Sequence, residues 1–152
     1  MEKEDVLRNI RAARRAHVVW VQRAKSLVNG LPVTKEQIPL EVTACEFGRW
    51  FYCDGQILLS IFTEDAVKQV EEKHKALHDI YMKIFKIYFS TVNQSFFARL
   101  LKYKRVVSES EKFIAHEELI NLEEVSSELI SYLNIIEKKL NSIDEKTFRK
   151  FI

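Results

Sequence analysis

Four side chains able to bind a transition metal fall on surfaces that the sequence predicts to be buried. His74 and His78 are one helical turn apart, so both imidazoles project from one face of a helix and can chelate a single ion. His17 falls in the apolar stripe of an earlier helix, and Cys45 falls on the apolar side of a short amphipathic segment. Imidazole and thiolate suit a borderline or soft metal. Together the four residues indicate a candidate metal site in the interior of a helical protein.

Each of these residues also has a plainer interpretation. A pair of histidines four residues apart is a weak signal alone, a single buried histidine often satisfies only a hydrogen bond, and a single buried cysteine behaves as a small hydrophobe. Glu71 and Asp79 flank the histidine pair, which leaves open a di-iron or hemerythrin-like site. Such sites use more histidines and bridging carboxylates, which disfavours that alternative. His116 lies in a polar run, so we expect it to face solvent.

The elements that must position these side chains are helices. Residues 4–29 predict a first helix, which Asn29 to Pro32 should end. A second long helix begins with Thr63 as its N-cap and continues to about residue 104, and a third covers about residues 110–140, with residues 141–152 forming a short helix or a frayed end. The expected inner stripes are Val6, Ile10, Ala13, His17, Trp20, Ala24 and Leu27 in the first helix, Val67, Val70, His74, Leu77, Tyr81, Ile84 and Tyr88 in the second, and Leu122, Val125, Leu129, Tyr132, Ile136 and Leu140 in the third.

A short amphipathic helix is predicted over about residues 40–52, with Val42, Cys45, Gly48 and Tyr52 on one face. Glycine inside a helix costs about 1 kcal/mol relative to alanine. We therefore expect Gly48 to allow close approach to a neighbouring helix. The pair at residues 54–55 predicts a turn directly afterwards.

Composition sets the fold class and excludes several partners. Three glycines and two prolines in 152 residues disfavour an all-β chain, and we predict one all-α domain over residues 1–152, an antiparallel four-helix-type bundle with three long helices and one short one. The net charge is +2, with basic and acidic residues well mixed, so no nucleic-acid partner is expected. No apolar run is long enough to span a membrane, and the N-terminus lacks an apolar signal core, so we expect a cytoplasmic protein with reduced cysteines.

Three motifs resemble those of the chemoreceptor zinc-binding (CZB) family. They are H-x-x-W at residues 17–20, C-x-F-G-R-W-x-Y at residues 45–52 and H-x-x-x-H at residues 74–78, and their order and separation also suit the family. The resemblance covers about residues 10–85, and the middle motif is the specific one. Ala16 departs from the family, whose members often carry an acidic residue before the first histidine. Residues 90–152 carry no matching motif.

The resemblance implies a Zn²⁺ site formed by His17, Cys45, His74 and His78. Four protein ligands close the coordination shell and leave no metal-bound water, so we expect no enzymatic activity. Trp20 is expected to cover the site, and the short helix is expected to pack through Phe47, Gly48, Trp50 and Tyr52. Arg49 is expected to be exposed. Cys53 is either a resolving thiol for an oxidised Cys45 or an incidental cysteine.

The resemblance also implies a sensory or regulatory role in signal transduction such as chemotaxis. The sequence shows neither a receptor signalling coiled coil nor a cyclase domain, so we expect a free-standing member of the family. Zinc would hold Cys45 as a thiolate, which makes Cys45 the expected redox switch for an oxidant such as hypochlorous acid. The alternatives are a sensor of zinc concentration, a helical adaptor with a purely structural zinc site, and an adaptor without metal. A homodimer and a signalling partner protein are further expectations. Surplus aromatic residues are available for such a surface or for the core: Phe85, Phe89, Phe96 and Phe97.

Overall fold

The computed structural model describes residues 2–33, 41–89 and 106–152, and within these ranges all regular structure is helical. The three long helices are α1 (Lys3–Val28), α4 (Glu64–Phe89) and α5 (Glu109–Ser142). The short elements are α2 (Glu46–Phe51), a 3-10 helix (Asp54–Ile57), α3 (Leu58–Ile61) and α6 (Glu145–Phe148). The predicted all-α class is confirmed.

The inner stripes of α1 and α4 are buried at every predicted position. Apolar side chains at three- and four-residue intervals fall on one face of a helix, which explains why the periodicity identified them. The predicted cap of α4 is also present, since the Ala66 amide donates to Thr63 Oγ1 over 3.3 Å. Of the stripe predicted for α5, Val125 and Tyr132 are half-buried and the other four are buried.

Cross-helix hydrogen bonds and ion pairs fix the directions of the long helices. Along α1 and α5 the pairs run from Arg11 with Glu137 to Lys25 with Glu123, so these two helices are antiparallel. The pairs between α4 and α5 also run in opposite directions, from Gln69 with Tyr132, through Lys73 with Glu128, to Lys83 with Glu118. It follows that α1 and α4 are parallel, and the connection that contains α2 and α3 crosses from one end of the bundle to the other.

Helix α5 lies in the part of the chain, residues 90–152, that carries no motif of the family, and its role is structural. It packs along both α4 and α1, and its buried side chains include Leu122, Leu129 and Leu133. The carboxylate of Glu137 binds two guanidinium groups of α1, with 2.6 Å from Arg11 Nε to Oε1 and 2.7 Å from Arg14 to Oε2. Because α5 contacts both α1 and α4, it holds these two parallel helices side by side.

The prediction of a helix over residues 40–52 was wrong in its bounds. Residues 41–45 form a turn with a bend on each side, α2 begins only at Glu46, and Cys45 is its N-cap. The Cys45 sulfur accepts the Gly48 amide, and that cap bond starts the helix after the cysteine instead of around it. The turn expected at residues 54–55 is the start of the 3-10 helix.

Two other predictions concern residues that lie partly or wholly outside the ranges that the structure describes. The continuation of the second long helix to about residue 104 lies outside them, as do Phe96 and Phe97. Phe85 is buried and Phe89 is half-buried against the core, so this pair contributes to packing. Among the described helices, none combines the length and apolar character needed to cross a bilayer.

Candidate metal centre

Three histidines from two parallel helices meet in the interior of the bundle. α1 supplies His17 and α4 supplies His74 and His78, and one ligand nitrogen from each lies within 4.8 Å of the other two. The two α4 histidines approach through their Nε2 atoms, which are 3.2 Å apart. All three side chains are at most 2% exposed. The parallel packing of α1 and α4 places one turn of α1 beside two turns of α4 and so forms this cluster.

Cys45 joins the histidine cluster through His74. Its Sγ lies 3.3 Å from His74 Nε2, and the residue is 5% exposed. The structure therefore brings together the four residues that the sequence predicted as metal ligands. The contact is made from the N-cap of α2, a position that directs the sulfur towards α4 and not along a helix face.

Two of the donor-atom separations are close to those in a tetrahedral zinc site. The atoms within 4.8 Å of one another belong to the three histidines, and Cys45 reaches this group through His74. With Zn–N bonds of about 2.0–2.1 Å and a Zn–S bond of about 2.3 Å, tetrahedral geometry requires about 3.3 Å between two nitrogens and about 3.6 Å between sulfur and nitrogen. The observed separations are 3.2 Å between the α4 nitrogens and 3.3 Å between Cys45 Sγ and His74 Nε2. Three imidazoles and one thiol also form a donor set that zinc prefers.

A hydrogen bond orients His17, and burial keeps His17 and His74 in the form that binds metals. His17 Nδ1 donates to the carbonyl oxygen of Ala13 over 2.7 Å, which leaves Nε2 as the nitrogen available to a metal. Burial lowers the pKa of His17 to about 4, and burial together with the neighbouring His17 and His78 lowers the pKa of His74 to about 2. Both imidazoles are therefore neutral at neutral pH, which is the form that binds metals.

Cys45 is held by the backbone around it. Its sulfur accepts the Gly48 amide over 3.1 Å, and its thiol donates to the carbonyl oxygen of Val42 over 3.3 Å. Burial raises the pKa of the Cys45 thiol, while the amides of Gly48 and Phe47 oppose that rise. A metal that binds here must displace the thiol proton, and the Gly48 amide remains to stabilise the thiolate.

Gly48 is required by the turn that precedes α2. A Cβ atom at this position would lie 1.8 Å from the Val42 carbonyl oxygen and 3.3 Å from Cys45 Sγ. The expected close approach is confirmed, but its partner is the carbonyl of the preceding turn and not a neighbouring helix. The glycine thus allows the chain to fold tightly enough for Cys45 to reach His74.

Two aromatic side chains line the cluster on different sides. Trp20 packs against His78 and His17, with ring centroids 4.6 and 5.9 Å apart, and is itself buried. Phe47 packs edge-on against His74 and His17 at 4.9 and 5.7 Å. Such an apolar shell limits solvent access and lowers the local dielectric constant, which strengthens the bonds between a metal and its ligands.

The remaining motif residues lie beside the site. Trp50 and Tyr52 are half-buried against the core, and Arg49 is exposed, as expected. Cys53 is exposed and free, and His116 is exposed.

Neither flanking carboxylate joins the cluster. Asp79 is exposed, and Glu71 accepts hydrogen bonds from Tyr52 and Lys75. Among the described residues, the group able to hold a metal consists of histidines without a carboxylate, which disfavours a di-iron site.

Three supporting groups were not identified from the sequence: the carbonyls of Ala13 and Val42, and the carboxylate of Glu71 as a partner of Tyr52. A histidine can bond the carbonyl one turn before it, so the position of Ala13 gave a signal for the first. Backbone carbonyls in turns and contacts between distant helices leave no such pattern in the sequence.

Comparison with known proteins supports the resemblance. The family model described as the chemoreceptor zinc-binding domain matches residues 17–85, a range that starts at His17 and includes Cys45, His74 and His78. No curated protein and no solved structure matches the chain. Residues 17–85 of this chain are therefore similar to the chemoreceptor zinc-binding (CZB) family, a family of zinc-binding domains.

Proposed function

We propose that this chain binds one zinc ion through His17, Cys45, His74 and His78 and acts as a regulatory domain that responds to hypochlorous acid. The observation that carries the proposal is the position of Cys45 Sγ, 3.3 Å from His74 Nε2 at the edge of a buried cluster of three histidines. The cluster supplies three imidazole ligands, and Cys45 supplies the thiolate ligand, whose sulfur an oxidant can modify.

The chemical step is a two-electron oxidation of Cys45. The thiolate sulfur attacks the oxidant, an S–O bond forms and the O–Cl bond breaks, so that thiolate and hypochlorous acid give a sulfenic acid and chloride. The sulfur loses two electrons and the chlorine gains them. A sulfenic acid is a poorer zinc ligand than a thiolate, so the oxidation weakens zinc binding at the site.

The structural response is release of the α2 segment. α2 has six residues, and its contacts with the long helices are mainly with α1. A helix this short is not stable alone, so its position depends on its cap and on tertiary contacts. Loss of the Cys45 bond removes one of those contacts and exposes Phe47 and Phe51, which are buried in this structure.

The test treats the zinc-loaded protein with one equivalent of hypochlorous acid. We expect oxidation at Cys45 by mass spectrometry, together with release of zinc to a chromogenic chelator. A Cys53→Ser variant should respond in the same way, which excludes the exposed thiol as the sensor, and a Cys45→Ser variant should not respond. Zinc retention after full oxidation of Cys45, or absence of any modification at Cys45, refutes the switch.

The same site also supports sensing of zinc by reversible binding. The Val42 carbonyl accepts a hydrogen bond from the protonated Cys45 thiol, which supports a reversible exchange of proton for zinc at this sulfur. A dissociation constant near the free zinc concentration of the cell supports a zinc sensor. A much tighter constant, with no response to oxidant, indicates a purely structural site in an adaptor protein.

Four protein ligands leave no open coordination position, so we propose a regulatory domain and not an enzyme. We further propose a homodimer that works in the reducing cytoplasm, where free thiols persist, and that delivers its signal to a partner protein in a pathway such as chemotaxis. The measured mass of the zinc-loaded protein in solution tests the homodimer directly.

A further inference from the structure

Tyr52 links the segment that carries Cys45 to the helix that carries two of the histidines. It is the C-cap of α2, and its hydroxyl donates to Glu71 Oε1 of α4 over 3.3 Å. Glu71 precedes His74 by three residues and so lies on the same side of α4. The hydrogen bond therefore joins α2 to α4 within one helical turn of the metal centre.

Lys75 fixes the acceptor of this bond. Its Nζ lies 2.5 Å from the same Glu71 oxygen, one turn further along α4. Tyr52, Glu71 and Lys75 thus form a chain of contacts on the surface of α4, with the carboxylate held between a cation and a phenol. A hydrogen bond to an ionised carboxylate is stronger than one between neutral groups.

Few polar contacts hold α2 and its two caps against α4. Among the described residues, the side-chain hydrogen bonds that join residues 45–52 to α4 are Cys45 with His74 and Tyr52 with Glu71. The Arg49 side chain donates to the carbonyl oxygen of Ala44, in the turn directly before Cys45, and not to α4. Each end of α2 therefore has one polar attachment to α4, the ligand itself at the start and Tyr52 at the end.

We propose that Tyr52 is a positioning residue for Cys45, and that its bond to Glu71 sets how readily the thiol leaves the site. This inference rests on the proposed function. While the bond is intact, α2 stays docked and a displaced sulfur remains close to His74. When the bond is lost, the short helix moves away from α4 and Cys45 becomes accessible.

The first measurement is the rate of zinc release from the full-length, zinc-loaded chain into an excess of chromogenic chelator. Tyr52→Phe keeps the ring and removes the hydroxyl, and it should speed release by about three- to tenfold, as expected for one net hydrogen bond. The matched control is Tyr132→Phe, which removes a hydroxyl that bonds Gln69 over 3.4 Å and joins α5, not α2, to α4. It should leave the rate unchanged.

The second measurement does not involve metal. In a Cys53→Ser background, the metal-free protein is treated with iodoacetamide and the alkylation of Cys45 is followed by mass spectrometry. Tyr52→Phe should raise the alkylation rate and Tyr132→Phe should not. Glu71→Leu should behave as Tyr52→Phe does, whereas Glu71→Gln, which keeps an acceptor oxygen but loses the charge, should give a rate between those of wild type and Glu71→Leu.

The outcomes separate the two proposals. A wild-type protein that binds no zinc at the four residues refutes the proposed function and the inference with it. A wild-type protein that holds one zinc ion, while Tyr52→Phe releases zinc and reacts with iodoacetamide at wild-type rates, refutes the role of Tyr52 alone. Equal acceleration by Tyr132→Phe also refutes it, because a general loss of stability then explains the effect.

Discussion

The two parts of the candidate metal centre are built in different ways. Three ligands come from α1 and α4, each 26 residues long, which α5 holds together with buried leucines and ion pairs. The fourth ligand, Cys45, caps a helix of six residues. The first part, termed here the histidine frame, comprises α1, α4 and α5, and the second, the cysteine segment, comprises residues 41–57.

The difference indicates how one site can be both stable and responsive. Elements with few buried apolar contacts open locally at a lower free-energy cost than the global core. The cysteine segment contributes Cys45, Phe47 and Phe51 to the core, whereas each long helix contributes seven or more buried apolar side chains. A change at Cys45 can therefore move its own segment while the histidine frame stays folded.

The largest expected effect comes from removal of the ligand that the two parts share. His74 Nε2 contacts both His78 and Cys45, so His74→Ala removes the centre of the cluster. We expect zinc affinity to fall by more than about 100-fold, since loss of an outer-sphere partner alone costs about 10–100-fold. Competition with a chelator of known affinity measures it. The control is His116→Ala, at an exposed histidine of α5, which should bind zinc as wild type does. Wild-type zinc content in His74→Ala would show that His74 is not a ligand shared by the two parts of the centre.

The next effect is confined to the cysteine segment. Gly48→Ala places a Cβ 1.8 Å from the Val42 carbonyl oxygen, so either the turn or α2 must shift and Cys45 must move with it. We expect a fall in zinc affinity of about 10–100-fold. In the cobalt-substituted protein, the thiolate charge-transfer band should weaken while the histidine ligands remain.

Gly30→Ala is the matched control for that substitution. Gly30 has a φ of +78°, and a Cβ added there would meet no neighbouring atom within 4 Å, so alanine strains the backbone without a clash. It should lower the free energy of unfolding by about 1–2 kcal/mol and leave zinc affinity unchanged. Equal zinc affinities for Gly48→Ala and wild type would show that the segment tolerates the displacement.

The sequence predicted the histidine frame better than the cysteine segment, and the reason is physical. His17 and His74 fall in regular apolar stripes, and a helix turns that spacing directly into a buried face. Cys45 and Gly48 were placed on the face of one helix, whereas a cap bond between them starts the helix between these two residues. Caps and turns depend on one or two local bonds, which periodicity does not detect.

Contacts between residues that are far apart in the sequence could not be predicted from it either. The parallel arrangement of α1 and α4 follows from their shared contacts with α5, and no motif in either helix encodes direction. The hydrogen bond between Tyr52 and Glu71 joins residues 19 positions apart. From the sequence, Tyr52 was expected only to pack the short helix, and Glu71 was noted only as a carboxylate beside the histidine pair. The four proposed ligands were found because their chemistry is distinctive, while the groups that support them are ordinary.

The smallest expected effect on zinc comes from loosening the histidine frame at the contact between α1 and α5. Glu137→Gln removes the charge that Arg11 and Arg14 share, and the partly buried pair should cost about 1–2 kcal/mol of unfolding free energy at neutral pH. Hydrogen bonds from Arg11 and then Arg14 hold the pKa of Glu137 below its ordinary value of 4.5. Its stabilisation is therefore present above that value and is lost as the pH falls through the lowered pKa.

The difference between wild type and Glu137→Gln in chemical denaturation should accordingly shrink in acid. Glu72→Gln, which removes an exposed ion pair with Lys68 along α4, should change stability by no more than about 0.5 kcal/mol at any pH. Zinc affinity should stay within about twofold of wild type in both variants, because the contact lies in the frame and not in the cysteine segment. A large loss of zinc affinity in Glu137→Gln would mean that α5 positions His17 directly. The histidine frame would then be as sensitive to local change as the cysteine segment, and the distinction between the two parts would fail.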